Sequence, residues 1–356
     1  MDRHRVRRAR QWLLGNAPRS AVRVGDRLRI VPIEGFALLF LAMMLLVTLV
    51  LHTVADRWWP ATVLLFLGRW PWLLPGIPIL ALAVGLAHRR AIVTTLAAGI
   101  VALFGVLKMS PGLGRVTATA GAATQVRVIS FNIGGTMVAP MSLVAMMAEW
   151  QPDILAVQEC GETSVEQLRG MPTYYHDVGT TCLFTRFPIL RVDSLRRDAF
   201  RNAQGAAWVK RYRLQGPDGA FDFTNLHLDT PRKGFEAMMD GRDDATTTIA
   251  EKTEIRDLES RLARRWADLG PGPRLVAGDF NMPTESAIYR RHWSSMTNGF
   301  SHAGRGFGYT RRAGWIQLRI DHVLADDAWI VQAARLLPDY GSDHQPMMVD
   351  VALRTP

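Results

Sequence analysis

Seven polar side chains lie at or just after the ends of apolar, strand-like runs in the C-terminal part of the chain. A polar residue at the end of one buried strand is usually a cap or a loop hydrogen-bond partner. Seven residues of metal-ligand or acid–base type are harder to explain in this way, and they predict a single polar pocket at one edge of the sheets. These residues are Asn132, Glu159, His227, Asp279, Asn281, Asp321 and His344.

The residue types indicate the chemistry of this pocket. Carboxylate and amide oxygens suit Mg²⁺ or Mn²⁺ rather than Zn²⁺ or copper. Such an ion can polarise a phosphoryl oxygen and offset the charge that develops in the transition state. Two histidines add hydrogen-bond donors, and an aspartate beside a histidine fixes its tautomer. We therefore expect hydrolysis of a phosphoester with Mg²⁺, or alternatively Mn²⁺, as the cofactor.

The surrounding elements have the pattern of an α/β domain. Many strands with few helices between them favour two paired sheets covered by helices over one doubly wound sheet. Helices are predicted at residues 141–150 and 246–269 from their periodicity. Strands are predicted at residues 126–133, 154–158, 181–185, 206–214, 221–228, 274–278, 320–325 and 347–353.

Six motifs follow one another in a characteristic order. They are Asn132, Gln158-Glu159, His227, Gly278-Asp279-Phe280-Asn281, Arg319-Ile320-Asp321-His322 and Ser342-Asp343-His344-Gln345-Pro346. This order resembles the endonuclease/exonuclease/phosphatase superfamily over about residues 125–354. The resemblance implies a four-layer α/β sandwich of two packed β-sheets flanked by helices, and a Mg²⁺-dependent hydrolase.

The resemblance also implies a role for each metal-site residue. Glu159 is expected to be the main Mg²⁺ ligand. Asn132 is expected beside it, ordering the metal or the phosphate, and Asp343 is expected to support the metal.

Five further residues are expected to be catalytic by the same resemblance. Asp279 would orient or deprotonate the attacking water, and Asn281 would hold a phosphoryl oxygen. His344 would contact the phosphate and be oriented by Asp321. His227 would serve as the leaving-group acid or as a transition-state donor, although the sequence does not place an acidic partner for it.

Two polar loops are candidates for substrate binding. In the loop 229–244, Arg232, Lys233 and Arg242 could hold phosphate, and Phe235, Met238 and Met239 could touch lipid. The alternative is a loop that only faces solvent. The loop 305–312 is the other candidate. The two cysteines, Cys160 and Cys182, are either small buried residues or a disulfide, which would require an oxidising compartment.

Charge and hydropathy divide the 356-residue chain into two unlike parts. Residues 1–124 hold 15 Lys and Arg against 4 acidic residues, whereas residues 125–356 hold 27 against 28. The net charge of +10 therefore does not indicate a nucleic-acid-binding domain, because the basic excess lies outside the region with the chemistry.

The N-terminal part has the pattern of a membrane anchor. Uncharged runs at residues 35–55, 71–87 and 91–107 predict about three transmembrane helices, and the tryptophan-rich segment 58–70 predicts an interfacial element. A signal peptide fits the first run poorly, and a buried hairpin is the alternative for the other two runs. The predicted organisation is a basic cytoplasmic tail (1–34), a transmembrane region (35–107), a linker (108–124) and a catalytic domain (125–356).

Orientation follows from the basic residues that flank the runs. With three spans, the side that holds the N-terminus carries eleven arginines and the other side carries four basic residues. The positive-inside rule then predicts a multi-pass protein of the cell (inner) membrane with an extracytoplasmic, periplasmic catalytic domain. If the second run does not span, the catalytic domain would lie inside.

The function predicted from sequence is membrane-anchored, Mg²⁺-dependent hydrolysis of a phosphodiester. The expected partners are the lipid bilayer and a phosphate-ester substrate, either a lipid head group or a nucleic acid, with no obligate protein partner inferred. The alternatives are a phosphomonoesterase of the same superfamily and a non-catalytic receptor or scaffold that retains the fold. A channel or transporter is disfavoured because no charged residue interrupts the three runs.

Overall fold

The structure is a computed structural model that describes residues 24–115, 124–201 and 205–354. Most of the predicted basic tail and residues 116–123 of the predicted linker lie outside the described residues. The chain forms two compact units. The first contains the residues up to Leu45 together with Trp72–Ala102, and the second contains Leu46–Pro71 together with the residues from Leu103 onwards.

The N-terminal region is helical, as the apolar runs predict. Pro32–Thr53 and Arg89–Val106 are both long and apolar enough to cross a membrane. The second predicted run contains Pro71, Pro75 and Pro78, and prolines interrupt helices. The helix in this run has only ten residues. It is part of a candidate span only if this helix and the helix before it are taken together as one span with a break between them. The elements are α1 (Val24–Thr53), α2 (Trp59–Phe66), a 3₁₀ turn (Trp70–Leu73), α3 (Gly76–Gly85), α4 (Arg89–Val101) and a π turn (Ala102–Val106).

The remaining described helices belong to the C-terminal region. They are α5 (Pro140–Trp150), α6 (Glu162–Arg169), α7 (Asp198–Arg201), α8 (Arg232–Met239), α9 (Ala245–Asp268), α10 (Ala287–Trp293) and α11 (Gly299–Ala303).

Two six-stranded sheets dominate this region. The strands are β1 (Ser110–Pro111), β2 (Gln125–Asn132), β3 (Ile154–Gln158), β4 (Tyr175–Asp177), β5 (Thr181–Thr185), β6 (Ile189–Ser194), β7 (Trp208–Gly216), β8 (Gly219–His227), β9 (Arg274–Asp279), β10 (Thr297–Asn298), β11 (Arg305–Gly306), β12 (Arg311–Ala313), β13 (Ile316–Leu318), β14 (Asp321–Ala325), β15 (Trp329–Leu336) and β16 (Met347–Leu353). Sheet I has the order β10-β14-β9-β8-β7-β6, and sheet II has the order β15-β16-β2-β3-β5-β4. Neighbouring strands are antiparallel except for the parallel pairs β2/β3 and β8/β9.

The two sheets pack face to face because alternate residues of their central strands are apolar. Val128 of β2, Phe223 of β8 and Leu275 of β9 belong to the core cluster between the sheets. The other face of sheet II, including Phe131, packs on Leu143 and neighbouring residues of α5. Helix α9 covers the other face of sheet I, against β7, β8 and β9. This arrangement of helix, sheet, sheet and helix confirms the predicted four-layer α/β sandwich.

Candidate active site

Strand register aligns three of the predicted residues at one edge of sheet I. His227 at the end of β8 is the cross-strand partner of Asp279 at the end of β9. Asp279 is in turn the partner of Asp321 at the start of β14. Because cross-strand partners project from the same face of a sheet, the three side chains lie in one row.

Sheet II brings the amide and the glutamate to the same place. Asn132 ends β2, and Glu159 follows β3 in a left-handed conformation with φ of 51°. Asn132 Nδ2 donates to Glu159 Oε1 at 3.0 Å and to Asp279 Oδ2 at 3.0 Å. One amide group therefore joins carboxylates that belong to the two different sheets.

Asp279 Oδ2 is the point on which the site converges. His227 Nε2 lies 3.7 Å from it and His344 Nε2 lies 3.8 Å from it. Burial and repulsion from Asp321 raise the pKa of Asp279, although the two histidines oppose this effect. The carboxylate is therefore a better proton acceptor than an exposed aspartate.

Asp321 fixes the orientation of His344. His344 Nδ1 donates to Asp321 Oδ2 at 2.8 Å, which leaves Nε2 facing Asp279. Burial alone would lower the pKa of His344, but the charges of Asp321 and Asp279 raise it. Burial would raise the pKa of Asp321, but His344 holds it below its ordinary value.

The Gly278-Asp279-Phe280-Asn281 segment needs an unusual backbone. Gly278 has φ of 146°, and a Cβ atom there would lie 1.9 Å from the carbonyl oxygen of Leu226. Asn281 has φ of 50°; its backbone N–H donates to Asp279 Oδ1 at 2.8 Å and its side-chain Nδ2 donates to the carbonyl of Leu228 at 2.8 Å. The turn therefore holds both functional side chains in place.

His322 points away from this row, as strand alternation predicts. Its Nε2 donates to the carbonyl of Met282 at 2.9 Å, and its ring packs on Phe280. Burial lowers the pKa of His322 to about 4, so the ring is neutral.

The donor set fits a divalent cation. Ligand atoms of Asp279, Asp321 and His344 lie within 4.8 Å of one another. Asp321 Oδ1 is buried and has no hydrogen-bond partner among the described residues, and the Glu159 side chain is 43% exposed. These carboxylate oxygens are hard donors of the kind that Mg²⁺ and Mn²⁺ prefer.

Asp343 lies at the margin of the cluster. Its Oδ1 is 3.9 Å from His344 Nε2, and its Oδ2 forms an ion pair with Arg311. Arg311 belongs to the loop 305–312, the second candidate for substrate binding. The sequence did not predict this residue individually, and its only signal there is the basic pair at residues 311–312.

A cavity of about 310 Å³ opens beside the cluster. Arg232 and Arg311 line it, whereas Arg242 is not among the lining residues and pairs with Asp244 at 2.6 Å. Phe66 of α2 also lines this cavity, and sequence reasoning gave no signal for it. Of the predicted residues, Glu159, His227, Asp279, Asn281 and His344 line the cavity directly.

A disulfide lies directly behind Glu159. Cys160 and Cys182 are bonded to each other and stand 22 residues apart in sequence. Their Cα atoms are 5.9 Å apart, and Cys182 lies in β5 beside β3. The bond therefore ties the turn that carries Glu159 to the neighbouring strand.

Two packed sheets with a carboxylate, amide and histidine cluster at their common edge are the arrangement of a hydrolase that acts on phosphoester bonds. The chain belongs to the Endonuclease/Exonuclease/phosphatase family, whose sequence profile matches residues 129–344. Enzymes of this family depend on divalent metals. No curated protein matches the chain in overall sequence comparison.

Solved structures agree on the fold. A humanized TDP2 from D. rerio superposes with a TM-score of 0.52 at 16% identity, covering 64% of this chain and 98% of its own. A family member from Bacteroides vulgatus has a TM-score of 0.51 at 20% identity, covering 65% and 100%. Another from Bacteroides thetaiotaomicron has a TM-score of 0.50 at 19% identity, covering 65% and 99%.

Proposed function

We propose that this protein is a membrane-anchored phosphodiesterase that uses Mg²⁺ to assist in-line attack of water on a phosphodiester. The observation that supports this most directly is the convergence of Asn132, His227 and His344 on Asp279 Oδ2. A carboxylate surrounded by donors in this way is suited to hold a water molecule beside an electrophilic phosphorus.

Glu159 would be the main ligand of the metal, with Asn132 beside it and Asp343 in support. The same ion could also take ligands from Asp279, Asp321 and His344, whose ligand atoms lie within 4.8 Å of one another. When bound, the ion would polarise a phosphoryl oxygen and neutralise developing charge. Asn132 contributes by fixing the Glu159 carboxylate, to which its Nδ2 donates at 3.0 Å. Mn²⁺ is the alternative ion, since both prefer oxygen ligands.

The chain's own groups supply the proton transfers and the anion binding. Asp279 orients the attacking water and accepts its proton. Asn281 and His344 donate hydrogen bonds to the phosphoryl oxygens, with Asp321 orienting His344. His227 donates a proton to the leaving oxygen; its Nε2 lies 3.9 Å from Glu159 Oε1 and 3.7 Å from Asp279 Oδ2.

Arg232 is the proposed phosphate-steering residue, because it lines the cavity. Arg242 stays a weaker proposal, since it pairs with Asp244. We expect Arg232→Ala to raise KM with little change in kcat, and Arg242→Ala alone to change KM less. Equal kinetics for wild type and Arg232→Ala would contradict the assignment.

The proposed activity is tested with the full-length chain in detergent. Hydrolysis of bis-p-nitrophenyl phosphate and of p-nitrophenyl phosphate is compared with and without Mg²⁺. We expect Mg²⁺-dependent cleavage of the diester and a loss of at least a thousandfold in kcat for Asp279→Asn. Asp268→Asn is the matched control, because Asp268 pairs with Arg274 at the opposite end of β9.

Each outcome has a distinct meaning. Faster turnover of the monoester would favour a phosphomonoesterase. Cleavage that persists in Asp279→Asn would overturn the assigned site. Failure of both turnover and Mg²⁺ binding would favour a non-catalytic scaffold.

We further propose that the protein crosses the inner membrane more than once and that its catalytic domain is periplasmic. This orientation requires the second apolar run to cross the membrane as well. The distribution of basic residues and the Cys160–Cys182 disulfide support it, because disulfides persist in oxidising compartments. A C-terminal alkaline phosphatase fusion should be active and a C-terminal green fluorescent protein fusion dark. The reverse pattern would place the catalytic domain in the cytoplasm.

A further inference from the structure

The cavity beside the catalytic cluster is lined by both polar and apolar side chains. The polar lining comes from the catalytic residues and from Arg232 and Arg311. The apolar lining comes from α2, α8, β13 and the residue before β14, namely Phe66, Phe235, Met239, Ile316, Leu318 and Ile320. A sugar phosphate has no group that would match so apolar a wall.

The wall includes a residue from the segment between the first two apolar runs. Phe66 ends α2, and its ring centroid lies 5.5 Å from that of Phe235 in α8. Phe66 is 6% exposed and belongs to the same compact unit as the catalytic cluster. The active-site cavity is therefore completed by the membrane-proximal segment.

A hairpin from the catalytic region docks on that same segment. Its tip residue, Trp315, accepts a hydrogen bond at its carbonyl from Trp70 Nε1 at 3.2 Å. A Cβ atom on Gly68 would lie 2.5 Å from the same carbonyl oxygen, so glycine permits this close approach. Strand β13 of this hairpin supplies Ile316 and Leu318 to the cavity wall.

The rim of the cavity and its surroundings expose large apolar side chains. Met239 is 79% exposed and Trp315 is 51% exposed. Trp58, Trp59 and Trp70 of the adjoining segment are also exposed, and tryptophan is the residue type enriched at membrane–water interfaces. Exposed apolar patches of this kind indicate contact with a lipid or another apolar partner.

The catalytic region is hydrogen-bonded to the chain just after the first apolar helix ends. Asp56, three residues after α1, accepts hydrogen bonds from Arg256 Nη2 at 3.1 Å and from Ser286 Oγ at 2.5 Å. These hydrogen bonds hold the catalytic region against the residues that directly follow the predicted span. Helix α2 begins a few residues further on.

We propose that the apolar lining of the cavity binds the first carbons of the alkyl or acyl chain of a membrane lipid whose phosphodiester is cleaved by the catalytic cluster. This inference rests on the proposed phosphodiesterase function and names its substrate class. A volume of about 310 Å³ is near the lower limit for small-molecule pockets, so it accommodates a head-group phosphate with the start of one chain while the rest stays in the bilayer.

The test uses two diesters that share one scissile bond. Methyl p-nitrophenyl phosphate and hexadecyl p-nitrophenyl phosphate both release p-nitrophenol and differ only in the alkyl group. With the full-length chain and Mg²⁺ in neutral mixed micelles, we expect kcat/KM for the hexadecyl ester to be at least tenfold higher.

Two variants test the wall itself. Phe66→Ala and Met239→Ser should each lower kcat/KM for the hexadecyl ester at least threefold more than they lower kcat/KM for the methyl ester. Met239 is exposed, so its replacement does not endanger folding. Leu190→Ala is the matched control, because Leu190 is 56% exposed on the edge strand β6 and does not line the cavity.

The outcomes separate this inference from the function on which it rests. Equal use of the two esters, or an equal loss for both esters in the variants, overturns the lipid-chain subsite and leaves the phosphodiesterase intact. Preferential cleavage of a single-stranded oligonucleotide over the hexadecyl ester also overturns it, since the aromatic wall would then stack bases. No turnover of either ester overturns both proposals.

Discussion

Arg69 and Glu285 form an ion pair that is almost completely buried. Arg69 follows α2, and Glu285 lies in the loop after β9, so the pair joins two segments 216 residues apart. The same guanidinium also donates to the carbonyl of Val106 at 2.9 Å. One side chain thus connects the membrane-proximal segment, the end of the last apolar helix and the loop beside the active site.

Removal of one partner of this ion pair should lower the free energy of unfolding. We expect Glu285→Gln to destabilise the protein by about 3–5 kcal/mol, because a buried guanidinium is left without its counter-charge. The melting temperature of the full-length chain in detergent measures the effect. Glu166→Gln, an exposed glutamate on α6, is the control and should melt with the wild type.

The same pair predicts a specific response to acid. Burial alone would raise the pKa of Glu285, but Arg69, Lys108 and Arg319 lower it to about 2 from the ordinary 4.5. Because the folded-state pKa is the lower one, this stabilisation is complete above about pH 4.5 and is lost as the pH falls towards 2. Melting temperatures recorded between pH 6 and pH 3 should fall less steeply for Glu285→Gln than for the wild type.

The hydrogen bond between His344 and Asp321 should be needed for catalysis more than for folding. Asp321→Asn retains the shape of the side chain but allows His344 the wrong tautomer. We expect kcat to fall by about 10²–10⁴, with KM changed much less. If Asp321→Asn retained full kcat, His344 would not need this orientation.

Gly278 should tolerate no side chain. We expect Gly278→Ala to destabilise the protein by about 2 kcal/mol or more, since the methyl group collides with the Leu226 carbonyl and the φ angle disfavours alanine. Gly161→Ala is the matched control, because its φ is −113° and its Cβ atom would only touch Ser164. Similar melting temperatures for the two variants would show that the turn can relax.

Reduction should loosen the turn that carries Glu159. Loss of a disulfide that closes a loop of this length costs about 3 kcal/mol in the chain-entropy treatment. The wild type should therefore melt at a lower temperature with reductant, whereas the double variant Cys160→Ser with Cys182→Ser should not respond. Two titratable thiols in the unreduced, unfolded protein would show that the bond is not formed.

Much of the sandwich could be read from the sequence because its central strands are short apolar runs between turn residues. The runs at residues 154–158, 181–185 and 347–353 coincide with β3, β5 and β16. Strand β6 was not predicted because it is an edge strand with mostly exposed side chains and little alternation. Residues 232–239, expected to be loop, form α8, whose apolar residues meet Phe66 and are only partly covered.

The sequence predicted a site residue only where a polar side chain stands at the end of a predicted strand. Asn132, Glu159, His227, Asp279 and His344 lie close together because register and sheet packing bring strand ends to a common edge. Phe66 had no such signal, since its place in the cavity depends on contacts between residues far apart in sequence. Arg242 does not line the cavity and pairs with Asp244 two residues away, a local contact that the basic character of the loop did not indicate.

The compact unit that carries the active site includes Leu46–Pro71 as well as the residues from Leu103 onwards. A truncation that started in the linker would discard Asp56, Phe66 and Arg69 together, and would strand Arg256 and Glu285 in the interior without their counter-ions. A truncation designed to give a water-soluble enzyme would therefore cut through one folded unit. A shortened version should retain the Leu46–Pro71 stretch, spliced to the remainder by a new connection.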